Sequence, residues 1–466
     1  MGHVSEVSRE QLTLFAERLE ELVPADASVR LIDRFVDGLP LLSLGFSRAA
    51  PASTGRPGYS PSALLKLYIY GYMHDVRSSR RLERETHRNV EVMWLLGRLQ
   101  PDFKTVARFR AENGEGLQRV CGAFVSLCLE AGLGSGRRVS LDGTKVAGQN
   151  ARHRVFGKKQ LERKVAAVDE AIASYLRRLD EADACEAETE VSAAAVRLAL
   201  AGLEEKRAKW LGLLSGMAPE QTQVALTDGE AQRMKTGQGD WVVGYNVQVV
   251  VDTETHLVVH QDLAQTGNDR QSLAPMASAT QAVLGDGPLE VLADRGYSNG
   301  AQGRECESLG IEVTAPRQGG PTGKGYSREQ FVYDAEQDSY QCPAGETLHH
   351  VGTTRDGERT YRTRACQSCA LRPQCTTSDY RSVSRQAHED MLAKMEARAR
   401  ASDEPMLTRK TTVEPVIGTL KRYLGGRFLT RGRFKVKTEL ALAVLSYNFR
   451  RLLNLMGNEW FEARFA

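Results

Sequence analysis

No apolar run in this sequence approaches the roughly 20 residues that a membrane-spanning helix needs, so no helical membrane span is expected. The opening stretch, MGHVSEVSREQLTLF, lacks both a basic n-region and an apolar h-region, so no secretory signal is read and a cytoplasmic protein is the expectation. A large excess of one sign of charge is lacking too. The formal net charge is +3 over 466 residues, which excludes a polybasic or polyacidic chain as a whole. Apolar residues are not lacking: at 41% hydrophobic and 26% charged, the composition excludes a disordered tail and fits a globular protein. The length exceeds what one hydrophobic core usually supports, so two or more domains, or one with large insertions, are expected.

Eight cysteines in a cytoplasmic chain do not make a disulfide framework. Cys121, Cys128, Cys185 and Cys306 are scattered and read as small buried hydrophobes. Cys342, Cys366, Cys369 and Cys375 fall together in a loop-like stretch, and Cys366-x2-Cys369 has the spacing with which two thiolates grip a tetrahedral zinc. The other reading is four reduced thiols in a loosely held insertion.

The small total charge hides an uneven distribution. From Arg409 to Arg451 there are eleven Lys or Arg against two Glu, Glu414 and Glu439. That excess suits a polyanion partner, although a solvated helix face would look the same.

The chain to about Gly134 is helical in pattern. Ser60 caps a helix that Pro61 opens, and Ala63, Leu64, Leu67, Tyr68 and Gly71 recur at helical spacing. A basic segment, Arg77 to Arg88, gives this part an edge that could dock on DNA phosphates or simply pack. After Gly136 the period shortens. Val139 to Leu141 reads as a strand that ends in Asp142 and turns at Gly143. Two long charged helical patterns, Lys158 to Met217, suggest an antiparallel helical hairpin inserted before the strands resume. Trp241 to Asp252 and His256 to Ala264 are strands, followed by a helix, a strand at Leu289 to Ala293, another helix and a last strand, IEVTAPR. Such an order describes a mixed sheet with helices on its faces. Gln318 to Gln386 shows little periodicity, and helical pattern returns through Glu414 to Leu455.

Asp142 and Asp294 each follow a strand, and in an open α/β sheet ligands bind outside the strand carboxyl ends. Two neighbouring carboxylates repel, and Mg²⁺, a hard cation that takes carboxylate oxygens, removes that cost. Glu414, on a helix in the most basic part of the chain, offers a third carboxylate. Two ions about 4 Å apart could then activate a water or hydroxyl and stabilise the leaving oxygen of a phosphoryl displacement. Each Asp could equally be a turn former, and Asp228, Asp240, Asp252, Asp262 and Asp269 are further acids near strand edges. Spacing alone leaves the choice open.

LDGTKVAG, GYNVQVVVD, VLADRGYSN and RKTTVEPVIGTLKR with RGRFKVKTELALAVLSYNFRRL, in that order, resemble a bacterial insertion-sequence transposase of the DDE type. GRPGYSPSALLKLYIYGYM and PDFKTVARFR resemble the family's amino-terminal domain, so the resemblance runs from about Arg56 to Asn454. It implies an α/β chain whose catalytic fold is RNase H-like, a mixed sheet flanked by helices. The implied parts are a helical DNA-binding domain over 1–135, catalytic segments at 136–157, 221–317 and 389–466, a helical-hairpin insertion at 158–220 and a Cys-rich, zinc-ribbon-like insertion at 318–388. It implies that Asp142, Asp294 and Glu414 are catalytic and hold two Mg²⁺ or Mn²⁺ ions. Cys342, Cys366, Cys369 and Cys375 would hold a structural Zn²⁺. Lys421 matches the family lysine two helical turns past the glutamate, and Arg409, Lys410, Arg422, Arg431 and Arg433 join it as expected DNA contacts. Where the family often has a tyrosine before the glutamate, Met406 and Leu407 stand here. The implied activity is binding of terminal inverted repeats, strand hydrolysis and joining of the 3′-hydroxyl to target DNA, by a homodimer at the bacterial nucleoid and without a membrane. Its rivals are a DNA-binding regulatory protein that no longer cuts and a nuclease without strand transfer.

Overall fold

The computed structural model describes residues 18–465 apart from 51–53, 55–56, 135–136, 185–192, 218–221, 238, 265, 286, 318–324 and 355–356. Cys185 and Arg56 lie outside the described residues.

Among the described residues seven helices come first: α1 (Leu19–Leu22), α2 (Ser28–Asp37), α3 (Pro61–Met73), α4 (Ser79–Arg88), α5 (Val90–Leu95), α6 (Phe103–Glu112) and α7 (Gly114–Glu130). Ser60 caps α3 as expected, its hydroxyl accepting from the Ser62 amide at 3.2 Å. Helix α3 is buried on nearly every side from Leu64 to Met73, and even Lys66 is inside, its ammonium held by Asp33 at 2.5 Å and Asp37 at 2.7 Å. The basic segment expected at Arg77 to Arg88 is mostly the exposed side of α4.

Strand β1 (Arg138–Ala147) opens the main sheet. A short strand pair, β2 (Val155–Gly157) and β3 (Gln223–Ala225), brackets α8 (Lys158–Ala184) and α9 (Ala193–Ser215). These two helices lie side by side, tied by Arg207 to Asp169 at 2.5 Å. Then come β4 (Gln232–Lys235), β5 (Trp241–Asp252), β6 (Val258–Leu263), α10 (Leu273–Leu284), β7 (Leu289–Ala293), α11 (Gly300–Ser308) and β8 (Ile311–Thr314). In the sheet β5 lies antiparallel to β1, and β7 and β8 follow parallel to β1 on its other side. Strands β4 and β6 share the far edge of β5, pairing with its start and its end. Gly244 permits the closest approach in this ladder: a Cβ there would lie 2.0 Å from the Val146 carbonyl and 2.7 Å from the Gly148 amide. Both are backbone atoms of or beside β1, so nothing flexible can yield. Gly244→Ala should therefore cost at least about 3 kcal/mol, the top of the usual overpacking range, read as a lowered urea midpoint.

The stretch whose sequence shows little periodicity forms a second sheet. It is built from β9 (Val332–Asp334), β10 (Ser339–Gln341), β11 (Thr347–Thr353), β12 (Arg359–Arg362) and β13 (Val383–Arg385), with the short helix α12 (Arg372–Cys375). Most of these strands are three or four residues long, too short for alternation to show in sequence. The chain ends in α13 (Glu389–Ala401), α14 (Glu404–Tyr423) and α15 (Arg433–Phe465), the last broken at Gly457.

Alternation along the strands sorts the core into two layers. Val139, Leu141, Val291 and Ala293 face one layer, with α10, α11 and α13. Val247, Val249 and Val251 face the other, with α14 and α15. That second layer runs without a break into the amino-terminal helices: Phe35 of α2, Phe124 of α7 and Phe449 of α15 meet with ring centroids 5.3 to 5.5 Å apart. Asn448 of α15 takes up the β6 edge by accepting from the Val258 amide and donating to its carbonyl, both at 2.8 Å. At Val258 the edge is thereby left no free donor or acceptor for another strand. Among the described residues no helix is long and apolar enough to cross a membrane.

Candidate active site

The alternation that buries Val139 and Leu141 turns Asp142 to the opposite face, and the same rule applied to Val291 and Ala293 turns Asp294 to that face as well. In the parallel ladder Leu141 pairs with Ala293, so the two aspartates are the next residues on adjacent strands. Helix α14 crosses this face in contact with β1, β5 and β7. Arg138 anchors its start, bridging Glu290 of β7 at 2.9 Å and Glu404 of α14 at 2.7 Å.

One expectation needs correcting. Asp142 does not end its strand: β1 runs on to Ala147, because the longer β5 keeps pairing with it after β7 has stopped. Asp142 stands where the parallel neighbour ends, and the gap left there opens the site.

Burial pushes the Asp142 carboxyl up to about 6; the Arg409 guanidinium opposes that shift and the negative charge of Asp294 adds to it. Asp142 Oδ2 accepts from Arg409 Nη1 at 2.9 Å, and Oδ1 from the Gly143 amide at 2.7 Å. Arg409 also faces Glu414, with Nη2 4.0 Å from Oε1. Glu414 is half exposed on α14, followed at once by Pro415, which removes a backbone hydrogen bond from the helix interior. Asp294 Oδ1 accepts from the Gly296 amide at 2.7 Å and caps the turn Arg295–Tyr297, so the turn-forming role holds alongside any other. Asp142 and Glu414 therefore converge on one cation, here a guanidinium, while Asp294 lies beside Asp142. As the side chains stand, no group of three or more His, Cys, Asp or Glu among the described residues is spaced to hold one ion. The donor set nonetheless fits a divalent metal: two adjacent carboxylates, one of them buried at a cost, and a third across the groove, already drawing a positive charge between them.

A further carboxylate belongs to this neighbourhood. Asp269 Oδ1 accepts from Asn246 Nδ2 and Gln248 Nε2, each at 2.8 Å, and Gln248 in turn accepts from the Tyr297 hydroxyl. A Cβ on Gly143 would strike this network, 2.4 Å from Gln248 Nε2 and 2.7 Å from Asp269 Oδ1. The network thus backs the stretch of β1 that carries Asp142. The sequence offered Asp269 only as one of several acids near strand edges, and nothing in its spacing singled it out. Three of the other acids have structural work: Asp228 accepts from the Tyr245 hydroxyl at 2.7 Å and the Gly432 amide at 3.1 Å, Asp252 caps the turn after β5, and Asp262 pairs with Lys437 at 2.5 Å.

The expected DNA contacts divide in the same way. Lys410, Lys421, Arg422 and Arg431 are exposed, whereas Arg409 is bound to Asp142. Arg433 is committed to the carbonyls of Leu263 and Ala264, which places it in the packing of β6 against α15.

Cys342, Cys366, Cys369 and Cys375 line a common cavity of about 30 Å³ at the base of the second sheet, and none is in a disulfide. Burial pushes the Cys375 thiol above its usual range; Arg381 opposes this, and the other three thiols add to it. Cys121, Cys128 and Cys306 are buried, as expected.

Two family descriptions match the chain. A transposase domain, DUF772, matches residues 17–112, and a transposase DDE domain matches residues 341–453, the span that holds the four cysteines, Arg409, Glu414 and Lys421. No curated protein matches. A solved structure, the piggyBac transposase synaptic complex with hairpin DNA, aligns over 96% of this chain and 78% of its own at 8% identity and a TM-score of 0.32, a likeness too low to argue from. With an amino-terminal transposase domain and a carboxyl-terminal DDE domain in one chain, the protein is a DNA transposase of the DDE type.

Proposed function

We propose that this transposase binds the terminal inverted repeats of an insertion sequence, hydrolyses the strand at each element end and joins the freed 3′-hydroxyl to target DNA. The observation that carries the reading is the meeting of Asp142 and Asp294 at the end of a parallel strand pair, with Glu414 brought across by α14 and Arg409 drawn between. An antiparallel β6-β5-β1 half continued by parallel β7 and β8 supports an RNase H-like catalytic fold.

Asp142, Asp294 and Glu414 would hold two Mg²⁺ or Mn²⁺ ions. Such ions lower the pKa of an attacking water or hydroxyl and neutralise the leaving oxygen. Asp269 and its amide network would keep the Asp142 stretch of β1 in place. Arg409, once displaced from Asp142, would be near enough to contact a phosphate, and Lys410 and Lys421 extend the cationic track along α14. The α8 and α9 hairpin, which exposes Leu176 and Leu198, is a candidate contact in a homodimer that cuts both ends together.

The decisive experiment incubates the protein and Mg²⁺ with labelled duplex carrying the element's own ends. Nicks and joined products are expected. Binding without nicks would favour a regulatory protein, and nicks without joined products a nuclease.

The cysteine cavity would hold one structural zinc, since four thiolates close the coordination shell and leave no position for chemistry. Purified protein should carry about one zinc per chain. Stripping it, or Cys369→Ser, should melt the second sheet first, seen as new protease cleavage within 325–388 while the main sheet stays protected. Metal-free protein with unchanged protease resistance would reject the zinc.

A further inference from the structure

Between α14 and α15 lies a cavity of about 240 Å³, open to solvent and distinct from the carboxylate groove. Arg422, Arg450 and Arg451 line it together with Tyr423, and among the described residues no Asp or Glu does. A guanidinium carries five N–H donors. The main chain takes one from Arg450, whose Nη2 donates to the Met73 carbonyl at 2.5 Å, and one from Arg451, whose Nε donates to the Thr255 carbonyl at 2.7 Å. Arg422 meets only a distant partner at the rim, Asp75 at 3.7 Å, with both side chains more than half exposed. Tyr423 is 1% exposed, and its buried hydroxyl, beside the Arg450 guanidinium, has no acceptor for its proton. An orphaned buried hydroxyl is costly and calls for a reason. Three cations and one orphaned donor around a pocket of this size suit a tetrahedral oxyanion.

We infer that this cavity is a subsite for a backbone phosphate of the DNA whose cleavage is proposed above, and the inference rests on that reading. Arg422 lies eight residues beyond Glu414 on α14, about 12 Å along the axis. A strand running along α14 at 3.4 Å per nucleotide would have this phosphate about three or four nucleotides from the scissile bond. Arg422, Arg450 and Arg451 supply charge, and the Tyr423 hydroxyl donates to a phosphate oxygen. The subsite fixes the register of the strand relative to the carboxylates and reads no base.

The test measures binding of a short fluorescent duplex to full-length wild type, Arg422→Gln, Tyr423→Phe and the double variant across a salt series, with thermal melting of each. Arg422→Gln should reduce the salt slope by about 0.9, one phosphate contact. Tyr423→Phe removes no charge and relieves an unsatisfied group. It should melt no lower than wild type yet bind several-fold more weakly, and the double variant should lose less than the sum of the two, because both act on one phosphate. Slopes and affinities unchanged in both variants, with wild type binding normally, would reject the subsite and leave the proposed function standing. Wild type that fails to bind duplex at all would reject both. Inorganic phosphate and a mononucleotide serve as comparison ligands: if either is bound tightly in a Tyr423-dependent way while duplex affinity ignores Tyr423, the pocket serves a free anion and the inference fails.

Discussion

Asp294→Asn should abolish strand cleavage, by about a thousandfold or more, while leaving duplex binding within a few-fold of wild type. A loss of that size is about 4 kcal/mol of transition-state stabilisation. Asparagine keeps the one contact that Asp294 makes to its own turn, since its side-chain carbonyl can still accept from the Gly296 amide. The fold is therefore spared and the charge alone is lost. Asp142 is a less clean probe, because neutralising it would also strand the Arg409 guanidinium that it holds at 2.9 Å. Asp294→Asn removes a like charge beside Asp142 and so should lower the Asp142 carboxyl toward its ordinary range. Single-turnover cleavage of labelled ends with Mg²⁺, run beside binding of the same duplex, checks both halves. A variant that still cuts at a tenth of the wild-type rate would remove Asp294 from the site.

How much of this was legible beforehand depended on the length of each element. Leu289 to Ala293 is short, wholly apolar at its buried positions and sharply ended, so both the strand and the acid beyond it could be read. Strand β1 was read too short, because past Asp142 it continues as Gly143, Thr144 and Lys145, which look like a turn and owe their extended form to the pairing with β5. The second sheet was hidden for the same reason, since only partners in space make strands of Val332–Asp334 or Ser339–Gln341. At the site, spacing could nominate Asp142, Asp294 and Glu414 only with help from a family pattern. It could not show that Arg409 sits between two of them or that Asp269 backs the middle of β1, because both facts depend on residues far apart in sequence meeting across a folded sheet.

The sharpest case of a role concealed by composition is Glu439. Counted along the chain it is one of two acids diluting a basic run, yet it is fully buried in α15. Its carboxylate accepts from the amides of Leu429 and Thr430 at 2.9 to 3.0 Å and from the Thr430 hydroxyl at 2.9 Å. It also faces Arg77 Nη1 at 3.5 Å, and Arg77 in turn donates to the carbonyls of Leu424 and Arg427. One side chain thus fastens the turn that joins α14 to α15 and ties that turn to the amino-terminal helices. Glu439→Ala would leave those amides and a mostly buried guanidinium without their acceptor, a loss of about 3–5 kcal/mol. Glu439→Gln keeps one acceptor oxygen but adds an amide donor facing other donors, so it should fall between alanine and wild type. Urea unfolding followed by far-ultraviolet circular dichroism would order the three proteins. Because α14 carries Glu414 at its middle and meets this turn at its carboxyl end, cleavage should fall with stability in the same order. An alanine variant with the wild-type midpoint would show that the turn is held by the apolar layer alone, and that Glu439 is buried without holding anything in place.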